Sequence, residues 1–430
     1  MKIVFIEAPT PWSITPHAQI PLGILYLATI LKKIHYDVSI FRPQNVEECS
    51  LVADANVIAF SGTTLEYSMI VECAKHIKSV NPDVILWIGG SHTTALSQEV
   101  AESKLFDSIA IGESENIIGQ MALDAQQNSP KQFYYGTPVK DLNSIPIPDR
   151  SMITGAHGLT IFSFRTNYIG TGSENIISSR GCPFNCHFCS SKSIRGKIVR
   201  FRSVDNMIEE VEYILNNFGC KQLRFADDNI TSKKSRLIEL CSRLKHYNLA
   251  WKCSVRASTL TDQVCKALSE GGCKEVSVGI ETGDQRVLNF LNKKTDLESM
   301  QKGCATAANW GVNVRGLFMI GTPGELKDSP ELTMEFIEHT KFHSITLAFF
   351  TPLPGSTIFQ DPKRFNCEIL SKDYSKYNKH FWVHKNGESE LNDIGHFLLI
   401  DNKFLTIDEQ KSNIERMKNY FQNSPLNNKG

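Results

Sequence analysis

The chain has 430 residues, of which 41% are hydrophobic and 21% are charged, as is typical of a globular protein. A chain of this length should form two or three domains rather than one core. Lys and Arg together number 46, as do Asp and Glu, so the net charge is zero. We therefore expect no nucleic-acid partner, and the charge balance predicts no attraction to anionic membranes, although peripheral membrane association stays open.

The sequence predicts neither a signal peptide nor a transmembrane segment. Glu7 interrupts the first apolar run, which is then too short for the core of a signal peptide. The longest apolar stretch, residues 20–31, is shorter than the ~20 residues that span a bilayer. We therefore expect a cytoplasmic protein with mostly reduced cysteines. Nine of these are expected to be small buried side chains: Cys49, Cys73, Cys220, Cys241, Cys253, Cys265, Cys273, Cys304 and Cys367.

Residues 1–135 alternate between short β-branched runs and segments with apolar residues at helical spacing. This alternation predicts a doubly wound, Rossmann-like α/β domain with a parallel sheet. The predicted strands are 2–6, 38–41, 57–60, 84–88 and 108–111, and the predicted helices begin after Pro21 and cover 65–80 and 94–103.

Small and flexible residues follow three of these strands, at the sheet edge where doubly wound domains bind ligands. Glycine lets a backbone approach a bulky ligand closely, and hydroxyl groups can bond to its polar edges. Ordinary tight turns are the alternative interpretation. The residues concerned are Ser61, Thr63, Gly89, Gly90, His92, Gly112 and Glu113.

A proline-containing connector, residues 136–175, is expected to join this domain to a second series of strands and helices in residues 176–360. Six units of this kind predict a partial (β/α)6 TIM-like barrel, open on one side. Its predicted strands are 176–179, 222–226, 251–255, 275–279, 313–319 and 345–350, and its predicted helices are 204–217, 233–246, 260–270, 285–291 and 297–310. Residues 361–430 are expected to be a small C-terminal extension with a closing helix at 407–421.

The first strand of the barrel leads into SRGCPFNCHFCS, in which Cys182, Cys186 and Cys189 have the spacing CxxxCxxC. Three thiolates on one loop can hold three corners of a cubane [4Fe–4S] cluster and leave its fourth iron open. A structural zinc site would require a fourth ligand, and His187 is poorly placed for that role between two cysteines. The spacing therefore favours an iron–sulfur cluster over zinc.

This loop, with Phe188 directly before its third cysteine, resembles the signature of radical S-adenosylmethionine enzymes, in particular those with an N-terminal cobalamin-binding domain. The resemblance implies that the open iron chelates S-adenosylmethionine. One-electron reduction then releases a 5′-deoxyadenosyl radical, and the electron comes from an external flavodoxin- or ferredoxin-type protein.

Further motifs lie in order at the ends of the predicted barrel strands, where barrel active sites are built. Asp227 and Asp228 are expected near cofactor or substrate, with a helix N-cap at Asp228 or Asn229 as the alternative. Arg256 is expected to pair with the carboxylate of S-adenosylmethionine. The resemblance also implies cofactor contacts for Phe188, Glu281 in GIETG, Gly321 in GTPGE and Pro354 in TPLPGS.

The segments PLGILYLATIL, GGSHTT and GES resemble cobalamin-binding domains attached to radical enzymes. A DxHxxG sequence is absent, so base-off binding with a histidine ligand is not supported. His92 is interpreted as a loop residue near the corrin, with cobalt ligation as the alternative. His380, His384 and His396 are interpreted as surface or loop histidines, because no acids or thiols accompany them.

The leading hypothesis is a radical enzyme that methylates an unactivated carbon of a small molecule with cobalamin as second cofactor. The alternative is a rearrangement, cyclisation, dehydration or epimerisation of a natural-product or lipid precursor without methyl transfer. A non-catalytic sensor of either cofactor is a third hypothesis, which the intact cysteine triad disfavours. A methylthiotransferase is also disfavoured. It would need three clustered cysteines in the N-terminal region for a second iron–sulfur cluster, and only Cys49 and Cys73 lie there.

Overall fold

The computed structural model describes residues 1–11, 20–153, 173–377 and 398–426. Its strands are β1 (Lys2–Ile6), β2 (Asp37–Phe41), β3 (Val57–Ser61), β4 (Ile85–Gly89), β5 (Ser108–Ile111), β6 (Phe133–Tyr135), β7 (Ser173–Ile176), β8 (Ser179–Arg180), β9 (Arg200–Phe201), β10 (Gln222–Phe225), β11 (Ala250–Val255), β12 (Cys273–Glu281), β13 (Asn313–Ile320), β14 (Ser344–Phe349), β15 (Cys367–Ile369) and β16 (Ile400–Asn402). Its α-helices are α1 (Leu22–Lys33), α2 (Tyr67–Val80), α3 (Ser91–Ala95), α4 (Ser97–Glu102), α5 (Ile118–Gln126), α6 (Ser191–Arg195), α7 (Val204–Phe218), α8 (Lys234–Leu244), α9 (Asp262–Glu270), α10 (Gln285–Phe290), α11 (Leu297–Asn309), α12 (Ser329–Glu338), α13 (Thr357–Gln360) and α14 (Ile407–Asn423).

The first sheet has the strand order β2-β1-β3-β4-β5-β6, and every neighbouring pair is parallel. Helices α1 and α5 cover one face with an apolar core, and α2 and α4 cover the other. The doubly wound α/β fold predicted for this part of the chain is confirmed. The strand order reverses between β1 and β3, so the ends of β3, β4 and β5 form the edge where such sheets bind ligands.

The second sheet has six parallel strands in the order β14-β13-β12-β11-β10-β7. The sheet is open because β14 and β7 do not pair, which confirms the predicted partial barrel. Its first strand differs from the prediction of 176–179. The strand is Ser173–Ile176, and Ser179–Arg180 instead pairs with Arg200–Phe201 in an antiparallel hairpin.

Hydrophobicity did not predict the position of the first barrel strand, because its buried residues are polar. A buried ion-pair network stabilises them. Glu174 is fully buried, and its Oε2 accepts from Arg150 Nε at 3.0 Å. Arg150, also fully buried, donates to Glu210 Oε1 at 2.6 Å and to the Asn175 carbonyl at 2.8 Å. Arg202 pairs with the second carboxylate oxygen of Glu210. The network joins the connector to β7 and α7.

The connector and the C-terminal residues both pack against the first domain. Ile145, Met152 and Ile153 belong to the apolar core beneath α1. Tyr374 and Tyr377 belong to the core on the opposite face of the same sheet. Helix α14 packs instead against the barrel. Among the described residues, no helix is long and apolar enough to cross a membrane.

Candidate active site

The cysteine loop lies inside the hairpin of β8 and β9. Gly181 has φ +101°, and a Cβ at this position would lie 2.5 Å from the Ile198 carbonyl oxygen, so only glycine fits. The Cys182 amide donates to the Gly196 carbonyl at 3.2 Å, and the Cys189 amide donates to that of Cys186 at 3.2 Å. The first contact attaches the start of the loop to the segment between β8 and β9, and the second closes a turn within the loop.

The three loop cysteines are partly exposed, whereas the nine others are buried, as predicted. Burial raises the pKa of the Cys182 thiol. It also raises the pKa of Cys186, although Lys293 and Arg256 partly offset the effect. Within the described ranges, no three His, Cys, Asp or Glu side chains lie close enough together to hold a single metal ion. A cubane requires no such convergence, since each thiolate binds a different iron.

Asp227 supports the entrance to the cysteine loop. Its carboxylate accepts from the Ser178 amide at 3.1 Å, the Ser178 hydroxyl at 2.8 Å and the Ser179 hydroxyl at 2.5 Å. Arg236 donates to the Ser178 carbonyl at 3.2 Å. Asp227 is only 3% exposed, and burial raises its pKa, although these hydrogen bonds partly offset the effect. Its contacts in this structure thus go to the chain that enters the loop.

Asp228 faces the cysteine loop from the neighbouring strand end. Its Oδ1 accepts from the Ser191 hydroxyl at 3.3 Å and pairs with Arg195 Nη1 at 3.4 Å. Its Oδ2 is buried, as is the side-chain nitrogen of Asn229, and neither atom has a hydrogen-bond partner. Unpaired buried polar atoms are costly, so this strand end is prepared for a polar ligand.

Arg256 lies against the loop from the end of β11. Its guanidinium carbon is 3.6 Å from the centroid of the Phe184 ring, and its Nη1 is 3.9 Å from the Cys186 sulfur. Its Nη2 donates to the Lys293 carbonyl. Arg256 therefore places a positive charge beside a thiol of the triad.

Glu281 and Lys293 form an ion pair on the same side of the loop. The Lys293 Nζ lies 2.5 Å from Glu281 Oε1, and both residues are less than a tenth exposed. Lys293 Nζ is 5.8 Å from the centroid of the Phe188 ring. Glu281 has φ +74° at a register shift in β12. An unusual backbone conformation in a non-glycine residue is a feature of functional sites.

Gly321 and Pro354 stand at the ends of the last two barrel strands. The Gly321 amide donates to Glu325 Oε2 at 3.2 Å, and burial raises the pKa of Glu325 to about 7. Pro354 is buried. The adjoining Gly355 carbonyl accepts from the Ser193 hydroxyl at 2.7 Å, which attaches the proline-rich loop to α6.

A charged cluster joins the cysteine loop to the first domain. Arg180, two residues before Cys182, pairs with Glu115 at 2.6 Å and with Glu113 at 3.4 Å. Arg200 binds both Glu113 oxygens, at 2.5 Å and 2.8 Å. Glu113 follows the end of β5, so its carboxylate bridges the two domains. The sequence pattern did not reveal Arg180, Arg200 or Glu115 as site residues.

The strand ends of the first sheet are held together by close backbone packing and by the Thr94 hydroxyl. Gly90 has φ +98°, and a Cβ there would lie 2.5 Å from the Gly62 carbonyl oxygen. The Thr94 hydroxyl donates to the Gly90 carbonyl at 2.8 Å and accepts from the Gly112 amide at 3.0 Å. A Cβ on Gly89 would meet only ordinary contacts. Among the predicted ligand-binding residues here, Thr63 is exposed, and Ser61, Gly89, Gly90 and Gly112 are half-buried.

His92 points into the core of the first domain. Its ring stacks on Tyr67 with centroids 3.8 Å apart and meets Tyr374 edge-on at 4.9 Å. Its Nδ1 bonds to the Thr64 hydroxyl at 3.1 Å, while its Nε2 is buried without a partner. Burial lowers the pKa of His92 to about 4. The ring is therefore neutral and enclosed by protein.

His187, the one histidine within the cysteine loop, points away from the thiols. Its Nδ1 lies 3.0 Å from the Phe290 carbonyl oxygen, and its ring packs against Phe365. His380, His384 and His396 lie outside the described residues.

Two family models match the chain. Residues 176–337 match the model of the radical SAM superfamily, and residues 16–122 match the model of the B12 binding domain. The first match contains the cysteine loop and the motifs at the ends of β10, β11, β12 and β13. The second contains the strand ends of the first sheet.

Curated relatives match over most of their length. An uncharacterised methyltransferase of Pyrococcus horikoshii is 28% identical over 88% of this chain and 86% of its own. Bacteriochlorophyllide d C-12(1)-methyltransferase of Chlorobaculum tepidum is 23% identical over 95% of this chain and 86% of its own. Anaerobic magnesium-protoporphyrin IX monomethyl ester cyclase of Rubrivivax gelatinosus is 24% identical over 83% and 68%.

Solved structures share the fold. The radical S-adenosylmethionine methyltransferase TsrM of Kitasatospora setae, with cobalamin and a [4Fe–4S] cluster bound, superposes with a TM-score of 0.67 at 12% identity, covering 86% of this chain and 77% of its own. The cobalamin-dependent S-adenosylmethionine radical enzyme OxsB superposes with a TM-score of 0.66 at 16% identity, covering 85% of this chain and 56% of its own.

Proposed function

We propose that this chain, which belongs to the radical S-adenosylmethionine superfamily and carries a B12-binding domain, methylates an unactivated carbon of a small-molecule substrate. One observation carries the proposal: the partly exposed cysteine loop is attached, through Arg180 and Glu113, to the strand ends of the B12-binding domain. Two relatives that match most of this chain are named methyltransferases.

The barrel residues fit a [4Fe–4S] cluster with S-adenosylmethionine. Cys182, Cys186 and Cys189 are partly exposed on one fixed loop, as cluster ligands must be before loading. The cationic Arg256 guanidinium is next to Cys186, where it would stabilise thiolate charge. The unpartnered Asp228 oxygen offers an acceptor for a ligand donor group. These chemical properties match the donor set that the family requires.

When bound, the cluster would supply the electron that cleaves S-adenosylmethionine to a 5′-deoxyadenosyl radical, and cobalamin would carry the transferred methyl group. The cysteines would hold the cluster. Arg256 would orient the carboxylate of S-adenosylmethionine by a bidentate contact. Glu281, held by Lys293, would face its ribose or amino group. Phe188, Asp228, Gly321 and Pro354 would complete the S-adenosylmethionine pocket. Asp227 would act indirectly, by supporting the loop.

The first domain fits a corrin at its strand ends. Thr63 and Ser61 carry hydroxyl groups there, and Gly89, at the end of β4, has no side chain to keep a flat ligand from the backbone. Gly90 and Gly112 shape the turns, and Glu113 closes the side next to the barrel. We propose that His92 does not ligate cobalt, because its Nε2 is enclosed by protein.

We propose the following division of labour along the chain. Residues 1–135 bind the corrin, 136–175 connect the domains, 176–360 make the radical, and 361–430 form an extension. The charged cluster between the domains helps to exclude water from the substrate cavity, which reactive intermediates require. Buried free thiols suit a reducing compartment, so we place the enzyme in the cytoplasm, where a flavodoxin- or ferredoxin-type protein can reduce it.

A second candidate is radical cyclisation without methyl transfer. The anaerobic magnesium-protoporphyrin IX monomethyl ester cyclase matches 83% of this chain, so a relative named for a cyclisation aligns with most of the chain as well. Cobalt content and the source of a product carbon distinguish the two reactions.

The test is anaerobic reconstitution with iron, sulfide and hydroxocobalamin. We expect about four iron atoms and stoichiometric cobalt per chain, together with reductant-dependent release of 5′-deoxyadenosine detected by mass spectrometry. The Cys186→Ala variant should lose the 5′-deoxyadenosine. Cys304→Ala is the matched control, since it removes a buried thiol of α11 that does not belong to the loop.

Formation of 5′-deoxyadenosine by Cys186→Ala at the wild-type rate would overturn the radical function. Iron binding without cobalt would overturn the methyl-transfer proposal and favour the cyclisation candidate.

A further inference from the structure

The segment that closes the cysteine loop from outside is unusually basic. Residues 191–200 read SKSIRGKIVR, with four cationic and no acidic residues, in a chain whose net charge is zero. Two of these cations are neutralised, Arg195 by Asp228 and Arg200 by Glu113. Lys192 and Lys197 are exposed and have no ion pair with any other described residue. An excess positive charge therefore remains on this surface.

The same segment exposes an apolar side chain. Ile198 is 80% exposed, the highest value of any large hydrophobic residue in the described ranges. A single exposed apolar residue is common on protein surfaces. Beside two unpaired lysines, however, it resembles a protein interface, which has an apolar centre and a polar rim. We call Lys192, Lys197 and Ile198 the basic patch.

The basic patch is attached to the cysteine loop through the backbone. Gly196, next to Lys197, accepts a hydrogen bond from the Cys182 amide at 3.2 Å. The Ile198 carbonyl oxygen touches Gly181 so closely that any Cβ there would lie 2.5 Å from it. A protein bound at the patch would therefore be separated from the cysteine loop by a single layer of backbone.

We propose that the basic patch is the docking surface for an acidic one-electron carrier of the flavodoxin type. This inference rests on the proposed radical function. In the step it serves, one electron leaves the reduced flavin, which is oxidised by one electron, and enters the cysteine-bound cluster, while no atom is transferred. Opposite charges steer such encounters and raise their rate, and the effect weakens as salt screens the charges.

The test compares two electron sources for 5′-deoxyadenosine formation by the reconstituted enzyme. One is reduced flavodoxin with its reductase and NADPH, and the other is dithionite, which needs no docking surface. For Lys192→Glu/Lys197→Glu we expect the flavodoxin-driven rate at subsaturating flavodoxin to fall about tenfold, with the dithionite-driven rate unchanged. Added salt should slow the flavodoxin-driven reaction of the wild type and not that of the variant.

Matched controls separate the patch from general charge and exposure. Lys75→Glu/Lys302→Glu reverses two exposed lysines of α2 and α11 and should leave both rates unchanged. Ile198→Ala should raise the apparent KM for flavodoxin. Leu51→Ala, which truncates another highly exposed apolar residue (70%), should not.

Calorimetric titration of the enzyme with oxidised flavodoxin tests the surface without any chemistry. We expect binding by the wild type and about tenfold weaker binding by Lys192→Glu/Lys197→Glu. If the wild type makes no 5′-deoxyadenosine even with dithionite, the proposed function fails, and this titration alone decides the docking proposal. The docking proposal would be overturned if Lys192→Glu/Lys197→Glu lowered the flavodoxin-driven and dithionite-driven rates equally, or left flavodoxin binding unchanged. It would also be overturned if the enzyme were a homodimer that Ile198→Glu dissociates.

Discussion

Arg150→Met should destabilise the fold at the point where the connector, β7 and α7 meet. The side chain is fully buried and makes three hydrogen bonds, to Glu174, Glu210 and the Asn175 carbonyl. Removing one partner of a buried ion pair costs about 3–5 kcal/mol, because the remaining charge stays buried without compensation. Glu210 keeps its ion pair with Arg202, whereas Glu174 loses the guanidinium that pairs with it at 3.0 Å, so most of the loss arises at Glu174.

The penalty should depend on pH in a definite direction. Burial already raises the pKa of Glu174, and without Arg150 it rises further. A carboxyl group with a raised pKa in the folded state favours folding when protonated, and this contribution is lost as the pH rises through that pKa. Burial alone would raise the pKa of Glu210 too, but Arg150 and Arg202 hold it below its usual value, and the variant loses part of that effect. The variant should therefore lose more stability at about pH 8 than at about pH 5.

Urea unfolding followed by far-UV circular dichroism at both pH values measures the effect. Arg243→Met is the control, since Arg243 pairs with Asp205 at an exposed site, at 2.9 Å, and should cost under about 1 kcal/mol. Arg150→Met/Glu174→Gln should recover part of the loss, because it removes the uncompensated charge. A loss below about 1 kcal/mol for Arg150→Met, or a penalty that grows on acidification, would refute the reasoning.

Two further substitutions probe the support of the two cofactor sites. Asp227→Asn weakens the acceptor for Ser178 and Ser179, so we expect lower iron incorporation at unchanged helix content, measured by metal analysis and circular dichroism; full iron loading would contradict this. His92→Phe should retain the stack on Tyr67 and bind stoichiometric cobalamin, measured by absorbance. Loss of cobalamin from this variant would instead support His92 as a cobalt ligand. Because burial lowers the His92 pKa from 6.5 to about 4, the wild type loses stability as the pH falls through that interval, and His92→Phe should lose less.

Most strands of the two sheets were predictable, because parallel strands buried on both faces are continuous apolar runs. β4, which reads ILWIG, falls close to its predicted bounds for this reason. β12 reads CKEVSVGIE, and the apolar residues around its centre were enough to place it. The short edge strand β6, residues Phe133–Tyr135, was not predicted. β7 differs from its predicted bounds, because its Ser-Glu-Asn sequence has no apolar pattern. Its burial depends on the ion pair between Glu174 and Arg150 of the connector. Hydrophobic periodicity does not encode a charge pair between residues 24 positions apart.

The cysteine triad was visible in the sequence because its ligands lie on a single loop, whereas Lys293 was not. It lies 12 residues after Glu281 in a segment without a recognisable motif. Its contact depends on how the chain after α10 returns to the end of β12. The same applies to Arg180, which is adjacent to the motif but acquires its role from Glu113 and Glu115 in the other domain.

Residues of a strand-end motif serve two purposes, and the structure separates them. Asp227 directs its carboxylate to Ser178 and Ser179, while its sequence neighbour Asp228 keeps one buried oxygen without a partner. Both residues follow the end of β10, so the turn after the strand sets where their side chains lie. In this pair, Asp227 therefore supports the loop, and Asp228 is left to meet a ligand. A substitution at the first should change loading of the site, and one at the second should change affinity for what the loaded site binds.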